Sequence, residues 1–522
     1  MHFWIKTILL SSCALLLSSC GKQESRNSLR IGNGAEPRTL DPQQAVSLAE
    51  AHVITALFEG LLSEPSTDDA LFEPGIATSW EANEKLTQYS FTLRENARWS
   101  DGTPINADTF LSSFERILNP QLSAQNSELL FDIKNAKAYH MGEIKSFDQV
   151  GLSAPSEYTL VITLEQPTAV FLQKMKHWSW FPVPVHFIEQ KGGLYDIANP
   201  WASSNDLVSN GPYMLDRWQR NQRITIAKNE AYWDAPTISI ERVEFYPFEN
   251  TQSEYRAFLA GQLDITEEIP SELKDQKLDG ARADPLLATS YLLLNNEFPS
   301  LSDPNVRRAL SAAIDRGKLI KSIVKTGFPA SRFTPAAMPL YPLGDTSPPP
   351  APELPRELVA QINANGPLRL VVSNRDVSIA VAEALQEMWR RELGIEIRIE
   401  NMEFKSFLDR LDNGDYDISY IAWFGDYLDP FTFLGIWQSE SQYNRARWEN
   451  SSFDKLLDQS ATQADPAQRL ETLHKAEDLL TEQMPIIPLF WKSKDYLVSP
   501  HVRNWPASLT DIRSYKHVEL KH

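Results

Sequence analysis

The chain has 522 residues, which is more than one hydrophobic core usually serves, so its length predicts about two or three domains. An apolar content of 42% and a charged content of 23% are ordinary for a globular protein. The formal net charge of −19 argues against a nucleic acid as partner, because neutralising phosphate requires a basic surface.

The amino terminus has the pattern of an export signal. A short basic end precedes an apolar run over 8–17, which is too short to span a membrane as a helix. The stretch LSSC at 17–20 resembles the lipobox of bacterial lipoproteins, and this resemblance implies that Cys20 becomes the lipidated first residue of the mature chain. We therefore expect 1–19 to be a signal peptide and 20–28 a tether. A plain signal peptide with an incidental cysteine is the alternative.

The first third of the chain combines strand and helix patterns. Residues 28–34 and 157–167 read as strands, and 88–104 alternates apolar with polar residues before a turn at Asp-Gly. Residues 106–118 then place apolar side chains on one helical face, with Asn106 as the expected cap. This part is predicted to be mixed α+β.

The pattern of predicted strands and helices changes near residue 288. The apolar run 288–296 suits a strand that is buried on both faces, and Asp303 followed by proline predicts the start of a helix. Strands and helices then alternate along the chain: 368–373, 376–393, 395–400, 404–412 and 416–422. This order predicts right-handed crossovers and a parallel sheet, that is, an α/β lobe. The proline-rich stretch 339–356 is expected to be a surface connection.

The stretch AWFGDYLDPFTF, residues 422–433, places two carboxylates among five aromatic rings. It follows the predicted strand 416–422, and in open α/β sheets ligands bind outside the carboxyl ends of the strands. Asp429 directly precedes Pro430 and is interpreted as a turn residue. Asp426 is interpreted as a ligand-binding residue. A carboxylate among aromatic rings is expected either to have a raised pKa or to bind a cation such as a primary ammonium.

The sequence contains little that points to catalysis or metal binding. It has no dinucleotide, P-loop, zinc-protease or G-x-S-x-G motif, and its nine histidines, His177 and His186 included, are not paired at metal-ligand spacing. Cys13 lies in the signal, so the mature chain is expected to have no disulfide and no thiolate metal site. Asp426 and Asp429 as a glycosidase pair are the enzymatic alternative, but acids three residues apart rarely face each other across a substrate.

Nine sequence blocks follow one another along nearly the whole mature chain: AEPRTLDP (35–42), LFEGLL (57–62), FTLRENARWSDGTPINADTF (91–110), SNGPYML (209–215), KNEAYWD (228–234), DPNVRRALSAAIDR (303–316), ENMEFKSFLD (400–409), GDYDISYIAWFGDYLDPFTFL (414–434) and SSFDKLL (451–457). Together they resemble the extracytoplasmic solute-binding proteins of family 5, specifically the oligopeptide-binding proteins of ABC importers. Their number and order make the resemblance specific, whereas any one block alone would be weak.

The resemblance implies an α/β fold (mixed α+β) of the periplasmic-binding-protein type II, a clamshell of two lobes with an additional third domain. Domain I, the first lobe, would combine 29–58, 183–287 and 494–522. Domain II, the extra module, would be 59–182, and domain III, the second lobe, would be 288–493. The ligand would be enclosed between the lobes by hinge closure.

The same resemblance implies a ligand site. Asp426 takes the position of the aspartate that pairs with the peptide amino group. The other peptide-contact positions are Val46, Ser47, Leu48, Tyr291, Phe404, Trp423 and Phe424. Residues 46–48 fall on a segment whose backbone pairs with an extended peptide. Such pairing gives affinity that does not depend on the side chains of the peptide.

Some positions depart from the oligopeptide-binding pattern. Leu411 and Tyr420 stand where basic residues would meet the peptide carboxylate, and Ser378 stands at a histidine position. Ala288 and Phe424 occupy the places of an inter-strand disulfide found in some members. The candidate replacements for the carboxylate partners are Lys325, Arg332 and Arg375, with solvated surface charges as the alternative interpretation.

These observations predict a monomeric receptor, lipid-anchored at Cys20 on the extracytoplasmic or periplasmic face, that binds short peptides and delivers them to the permease subunits of an ABC importer. The same fold with another cargo is the first alternative: a murein peptide, an opine, an oligosaccharide or a metal chelate. A secreted hydrolase is the alternative from a different class. We expect no enzymatic activity, cofactor, metal ion or nucleic-acid partner.

Overall fold

The computed structural model describes residues 28–65, 71–344 and 353–521. Its α-helices are α1 (Leu48–Leu57), α2 (Ala107–Leu118), α3 (Ala136–His140), α4 (Phe171–Lys174), α5 (Val185–Lys191), α6 (Thr251–Leu259), α7 (Pro304–Ala312), α8 (Arg316–Leu319), α9 (Arg356–Ala364), α10 (Asp376–Leu393), α11 (Phe404–Asp412), α12 (Phe431–Leu434), α13 (Ser451–Thr462) and α14 (Pro466–Gln483). Its strands are β1 (Ser28–Gly32), β2 (Leu62–Ser63), β3 (Glu73–Pro74), β4 (Ala77–Ala82), β5 (Gln88–Leu93), β6 (Leu152–Ser156), β7 (Thr159–Thr163), β8 (Tyr213–Gln219), β9 (Arg223–Lys228), β10 (Arg242–Tyr246), β11 (Ala281–Leu294), β12 (Phe328–Pro329), β13 (Leu368–Ser373), β14 (Ile397–Met402), β15 (Ile418–Phe424), β16 (Ile486–Leu497), β17 (Val502–Arg503) and β18 (Glu519–Leu520).

The predicted signal peptide and Cys20 lie outside the described residues, as do all but the last residue of the tether and the middle of the proline-rich connection. None of the helices in the described part of the chain is both long enough and apolar enough to cross a membrane.

The helix boundaries follow local capping signals in the sequence. The Asn106 side chain accepts a hydrogen bond from the Thr109 N–H at the start of α2, as the sequence predicts. Asp303 caps α7 in the same way, with proline as the first helical residue. α10 ends before Gly394, which adopts the left-handed conformation with a φ of 67°. These predicted helix ends are confirmed.

The amino-terminal half contains two four-stranded sheets, with strand orders β1-β10-β9-β8 and β4-β5-β7-β6. The alternation predicted in 88–104 is confirmed in β5, where Tyr89, Phe91 and Leu93 are buried. Both sheets and α2 contribute to one hydrophobic core, which also includes residues near the carboxyl terminus such as Tyr515. We call the part around this core, drawn from 29–265 and 496–518, the first lobe; it combines residues of the predicted domains I and II.

The second lobe is built on one six-stranded sheet with the order β12-β16-β11-β15-β13-β14. β13 pairs in parallel with both β14 and β15, which confirms the predicted parallel strands. The sheet as a whole is mixed, however, because β11 runs antiparallel to β15 and β16 runs antiparallel to β11. β11 is buried on both faces as predicted: Tyr291 and Leu293 belong to one hydrophobic cluster, and Leu292 and Leu294 belong to the other.

The long strands β11 and β16 join the two lobes. Their ends nearest the first lobe pair through Ala281 and Leu497, and Ile265 of the first lobe forms a bridge to Val498 just beyond β16. Their other ends lie in the middle of the second lobe. The predicted domain boundaries at 287/288 and 493/494 fall within these strands, and the finer division into three domains stays a prediction.

Candidate functional site

Three parallel strands of the second lobe end at one edge of the sheet, and a candidate ligand-binding residue follows each of them. Arg375 follows β13, Phe404 follows β14 and Asp426 follows β15. The carboxyl ends of parallel strands are where open α/β sheets bind their ligands. The position predicted for Asp426 is therefore confirmed, although Trp423 and Phe424, which the predicted strand omits, belong to the strand itself.

A cavity of about 440 Å³ lies at this edge, between the two lobes. Four predicted site residues line it: Val46 and Leu48 from the first lobe, and Phe424 and Asp426 from the second. The other lining residues are Glu64, Gln173, Lys176, His177, Trp178, Leu286, Leu287, Gly425, Tyr427, Leu428, Leu509, Thr510, Asp511 and Ile512. The volume lies within the range of pockets that hold small ligands.

Asp426 is a carboxylate in this cavity that forms no ion pair with any described residue. Its main-chain N–H donates to Thr432 Oγ1 at 3.0 Å. Burial among the cleft residues raises the pKa of its carboxyl above the ordinary 3.8, the charge of Lys174 partly opposes this shift, and Glu128 adds to it. Lys174 is already bound to Asp132 at 2.6 Å. The Asp426 side chain is still accessible to solvent, so a cationic group of a ligand has a path to it.

Asp429 has a different environment although it is only three residues away. Its carboxylate accepts the N–H of Phe431 at 2.9 Å, which confirms the predicted turn role before Pro430. The same carboxylate also forms a bidentate ion pair with Arg469, at 2.6 and 2.8 Å, and both side chains are buried. Asp429 therefore holds the loop to α14, and its charge is already neutralised by Arg469.

One flank of β15 is open beside Asp426. The ladder between β13 and β15 ends at the pair Val371 and Ser419, whereas β15 continues to Phe424. Among the described residues, no strand pairs with this last part of β15 on the β13 side. An exposed sheet edge of this kind is suited to an extended peptide that adds as a further strand.

The aromatic residues at the end of β15 differ in exposure. The Trp423 Nε1 donates to the Thr432 carbonyl at 2.8 Å, and its ring packs edge-on against Tyr443 with centroids 5.5 Å apart. The ring of Phe424 is 57% exposed and faces the cavity. Trp423 thus fixes the loop, and Phe424 offers an apolar surface to a ligand.

The predicted segment 46–48 begins helix α1. Ser47 is the helix cap, and the main-chain N–H groups of Val46 and Ser47 both donate to the buried carboxylate of Glu50 at 2.9 Å. Burial alone would raise the pKa of Glu50, but these hydrogen bonds outweigh it and lower the pKa. Because both donors are satisfied within the chain, the predicted backbone pairing through these two N–H groups requires that Glu50 release them.

Two further predicted aromatic positions lie in different places. Tyr291 is buried in the core of the second lobe, edge-on to Phe333 and Trp437 with centroid distances of 5.0 and 5.7 Å, and does not line the cavity. The side chains of β11 alternate between two packed faces, and neither face of the strand opens at residue 291. Phe404 is 43% exposed at the sheet edge, with the guanidinium carbon of Arg375 at 5.1 Å from its ring centroid.

The three candidate carboxylate partners differ in whether their charge is already neutralised. Lys325 pairs with Asp275 at 3.2 Å, and Arg332 pairs with Asp478 at 2.6 Å. Arg375 has no acidic partner among the described residues. Of the three, only Arg375 therefore combines an unpaired charge with a place at the sheet edge.

The positions that depart from the oligopeptide-binding pattern are mostly packed inside the second lobe. Leu411 and Ser378 are buried, and burial raises the pKa of Tyr420 to about 12, so this side chain is neutral. Ala288 lies directly opposite Phe424 in the β11–β15 ladder. None of these residues supplies a positive charge in place of the basic ones.

A cluster of possible metal ligands lies in the first lobe. One ligand atom each from His52, Glu267 and Asp511 falls within 4.8 Å of the others. Lys494 lies 2.8 Å from Glu267 and 2.5 Å from Asp511, and Arg513 also pairs with Asp511. These cations neutralise the acids, so we interpret the cluster as an internal ionic network.

Two features at or near the cavity have no local signal in the sequence. Residues 509–512 have no marked pattern, and they reach the cavity through a contact that is distant along the chain, the Leu287 N–H to the Leu509 carbonyl at 2.6 Å. Lys492 lies on β16 with its Nζ 5.9 Å from the ring centroid of Phe424. The sequence analysis did not predict β16, because Pro488 within it argues against a central strand. In the structure, a shift in the register between β11 and β16 accommodates this proline.

Comparisons with known proteins agree with this architecture. The family model for bacterial extracellular solute-binding proteins, family 5 middle, matches residues 72–445. The periplasmic murein peptide-binding protein MppA of Escherichia coli is 30% identical, with 96% of each chain covered. The periplasmic oligopeptide-binding protein OppA of Salmonella typhimurium is 31% identical, with 91% of this chain and 89% of OppA covered.

Solved structures give the same result for the fold. The murein tripeptide-binding protein MppA in its unliganded open form matches with a TM-score of 0.83 at 30% identity, covering 95% of this chain and 98% of that one. Haemophilus influenzae OppA in complex with the peptide RPPGFSPFR matches with a TM-score of 0.71 at 26% identity, covering 96% and 100%. The chain belongs to the bacterial extracellular solute-binding proteins of family 5.

Proposed function

We propose that this protein is an extracytoplasmic receptor of an ABC importer, which binds short peptides in an extended conformation between its two lobes and delivers them to the permease. The observation that carries the proposal is the carboxylate of Asp426, which lies in a cavity between the lobes without an ion-pair partner in the described part of the chain. The relatives named for murein peptide and oligopeptide binding support peptides as the class of cargo.

In this proposal, Asp426 binds the amino end of the peptide. An ammonium group has three donors, of which the carboxylate accepts one or two, and the pKa of the carboxyl then returns towards the ordinary range. The ring of Phe424 lies in the same cavity wall and adds a cation–π attraction of about 0.5–2 kcal/mol where it faces the ammonium. A ligand with a neutral group at this position would leave the Asp426 carboxylate desolvated and without an opposite charge.

The peptide backbone is expected to pair with the open flank of β15. Main-chain hydrogen bonds supply affinity for any sequence, and apolar surface on both walls accommodates the side chains. Val46 and Leu48 present that surface from the first lobe, with 39% and 44% of each residue exposed. Exposed apolar side chains that face each other across a cleft are buried when the cleft closes on a ligand, which stabilises the closed state.

More than one kind of cargo would fit a receptor with this site. A murein peptide is supported by the similarity to MppA, and it would use Asp426 in the same way if it carries a free amino group. An opine or another amine-containing solute would also use the carboxylate, whereas an oligosaccharide would leave it unused. We infer that the protein is a monomeric binding protein and not a hydrolase, since binding and release need no residue that makes or breaks bonds.

We also propose that the protein is anchored to the membrane by lipid on Cys20. Multiple acyl chains, at about 0.8 kcal/mol per buried CH₂, would make this anchor firm. The Cys20→Ser variant is expected to move from the membrane fraction to the soluble fraction of the cell envelope. Cys13→Ser is the matched control, because Cys13 lies in the signal, and it should fractionate with the membrane. A Cys20→Ser protein that stays with the membrane and needs detergent for release would contradict the anchor.

The receptor function is tested by small-angle X-ray scattering of the ligand-free protein before and after addition of a mixture of tripeptides to pentapeptides. We expect a smaller radius of gyration with peptide, because the lobes close around it. Mass spectrometry should then recover the peptides intact. An unchanged radius together with no retained peptide would contradict the receptor, and the appearance of cleavage products would contradict the inference that it is not a hydrolase.

A further inference from the structure

A third connection between the lobes lies beside the two crossing strands. The chain leaves the core of the first lobe at Trp505 and returns to it at Tyr515. Between these residues, Leu509 packs against the hydrophobic cluster of the second lobe that includes Tyr291. We call residues 509–513 the bridging loop. Because it is packed against both lobes, this loop must respond when one lobe moves relative to the other.

The bridging loop contacts β11 where the pairing of this strand with β16 is interrupted. Ser493 of β16 lies opposite Pro285, and Trp491 lies opposite Thr289, so the three residues 286–288 of β11 face a single residue of β16. A bulge bends a strand locally and disrupts its ladder. A bulge in a strand that crosses between the lobes is therefore a suitable pivot for their closure.

Leu287, at the centre of this bulge, joins the bridging loop to the loop that carries Asp426. Its N–H donates to the Leu509 carbonyl at 2.6 Å, and its carbonyl accepts the N–H of Gly425 at 2.8 Å. The contact between Leu287 and Gly425 is close, because a Cβ on the glycine would lie only 2.9 Å from the Leu287 side chain. A displacement of the Asp426 loop is therefore passed to Leu509 through one residue.

Buried charges bind the other end of the bridging loop to both crossing strands. Asp284 of β11 and Lys494 of β16 lie opposite each other in the ladder. Arg513 pairs with Asp284 at 3.3 Å, and Asp511 pairs with Lys494 at 2.5 Å. None of these four side chains is more than 11% exposed, so solvent ions screen the pairs little. The loop is thus fixed to the strands on the first-lobe side of the bulge.

Asp511 has a backbone conformation that these ion pairs maintain. Its φ is 63°, in the left-handed region that residues other than glycine adopt only rarely. Burial alone would raise the pKa of its carboxyl, but His52, Lys494 and Arg513 outweigh burial and lower the pKa, so the carboxyl is ionised. Backbone strain of this kind is concentrated at ligand clamps and switch regions.

The bridging loop is also part of the wall of the ligand cavity. Residues 509–512 line the same cavity as Leu287, Gly425 and Asp426. A ligand can shift the balance between an open and a closed arrangement only through contacts that differ between the two. The bridging loop can supply such contacts, because it faces the ligand and is bound to both lobes.

We propose that the bridging loop transmits occupation of the amine site at Asp426 to the hinge, with Lys494 and Asp511 as positioning residues for closure. This inference rests on the proposed function and adds the coupling between the site and the movement of the lobes. Lys494 does not line the cavity of Asp426, so it acts on the ligand only through Asp511, which does. Its replacement should therefore change closure without removing a contact to the peptide.

The test combines calorimetric titration with small-angle X-ray scattering on the wild-type protein, Lys494→Met and Lys494→Arg. The probes are trialanine and N-acetyltrialanine, which differ in the positive charge that Asp426 binds. In Lys494→Met, the preference for the free amine should fall by roughly tenfold, within the usual range of coupling between two sites. The decrease in the radius of gyration at saturating trialanine should also be lost. Lys494→Arg keeps the charge and should retain much of both effects.

Arg369→Met is the matched control. Arg369 stands at the start of β13, at the edge of the sheet opposite the site, and pairs at 2.9 Å with Asp417, whose side chain is 3% exposed. This variant also leaves a buried carboxylate without its partner, so it should lose stability but keep the wild-type preference and compaction. Asp511→Asn is a second test variant, because asparagine has nearly the same shape and tolerates the left-handed backbone. It should behave as Lys494→Met does.

The outcomes separate this inference from the proposed function. Wild-type preference and compaction in Lys494→Met and Asp511→Asn overturn the coupling. An equal loss of affinity for both probes overturns it too, because a residue that only stabilises the fold does not distinguish them. Thermal unfolding identifies the folded variants, and Asp511→Asn decides the question if Lys494→Met does not fold. Failure of the wild-type protein to bind any peptide or to compact overturns the proposed function, and this inference with it.

Discussion

Replacing Asp426 with alanine is expected to weaken the binding of a short peptide with a free amino end by roughly 2–5 kcal/mol. The reason is that closure would bury the ligand's ammonium group with no opposite charge beside it. Folding should be little affected, because the Asp426 carboxylate is accessible to solvent and forms no ion pair with any described residue. Calorimetry measures the affinity, and thermal unfolding measures the stability.

The control for this variant is Asp409→Ala. Asp409 is an exposed acid on α11 of the same lobe, it does not line the cavity, and its removal changes the net charge by the same amount. If both variants bind peptide as tightly as the wild-type protein, Asp426 has no role in binding. If both lose affinity equally, the effect is long-range electrostatics and not a specific pair.

The pH dependence of binding is a second readout of the same substitution. The ammonium binds to the ionised carboxylate, so wild-type affinity should fall as the pH falls through the raised pKa of Asp426 in the free protein, that is, starting above 3.8. The Asp426→Ala variant should lack this step. His177 in the same cavity wall does not interfere, because burial lowers its pKa to about 3 and it stays neutral over this range.

Replacing Asp429 with alanine is expected to have the opposite pattern, a loss of stability of roughly 3–5 kcal/mol. The substitution leaves the buried guanidinium of Arg469 without its partner, and removing one member of a buried ion pair is strongly destabilising. Urea denaturation, followed by tryptophan fluorescence, should show a transition at a lower urea concentration than that of the wild-type protein.

The partner substitution provides the control for Asp429. Arg469→Met in the Asp429→Ala background removes the uncompensated charge and should restore much of the lost stability. Asp426→Ala should unfold within about 0.5 kcal/mol of the wild-type protein, because the position is accessible to solvent and the substitution leaves no buried charge unpaired. Wild-type stability of the Asp429→Ala variant would show that the ion pair does not hold this loop.

The contrast between these two acids also shows what sequence reasoning can reach. The place of Asp426 was predictable, because strand periodicity located β15 and the carboxyl end of a parallel strand is a general ligand position. The turn role of Asp429 was predictable from the proline after it. Its pairing with Arg469 was not, since that partner lies 40 residues later on a helix whose docking is set by tertiary packing.

The parts of the fold that could not be predicted depend on contacts between distant segments. Nothing local indicates that β11 and β16 run antiparallel beside the parallel strands, and Pro488 argued against β16 as a central strand. Lys492 was missed for the same reason. A strand buried on both faces also has no polar face to reveal its orientation, so the direction of Tyr291 could not be inferred. The helix ends at Asn106, Asp303 and Gly394 were predictable, because capping is local.

The central claim, that Asp426 binds the amino end of a peptide in the cleft, is tested most directly by comparing trialanine with N-acetyltrialanine in calorimetric titrations of the wild-type protein and Asp426→Ala. Acetylation removes the ligand's positive charge and leaves the remainder of the peptide intact. The wild-type protein should bind the free amine at least roughly a hundredfold more tightly than the acetylated form, and Asp426→Ala should bind the two forms equally. Equal binding of both forms by the wild-type protein would contradict the claim.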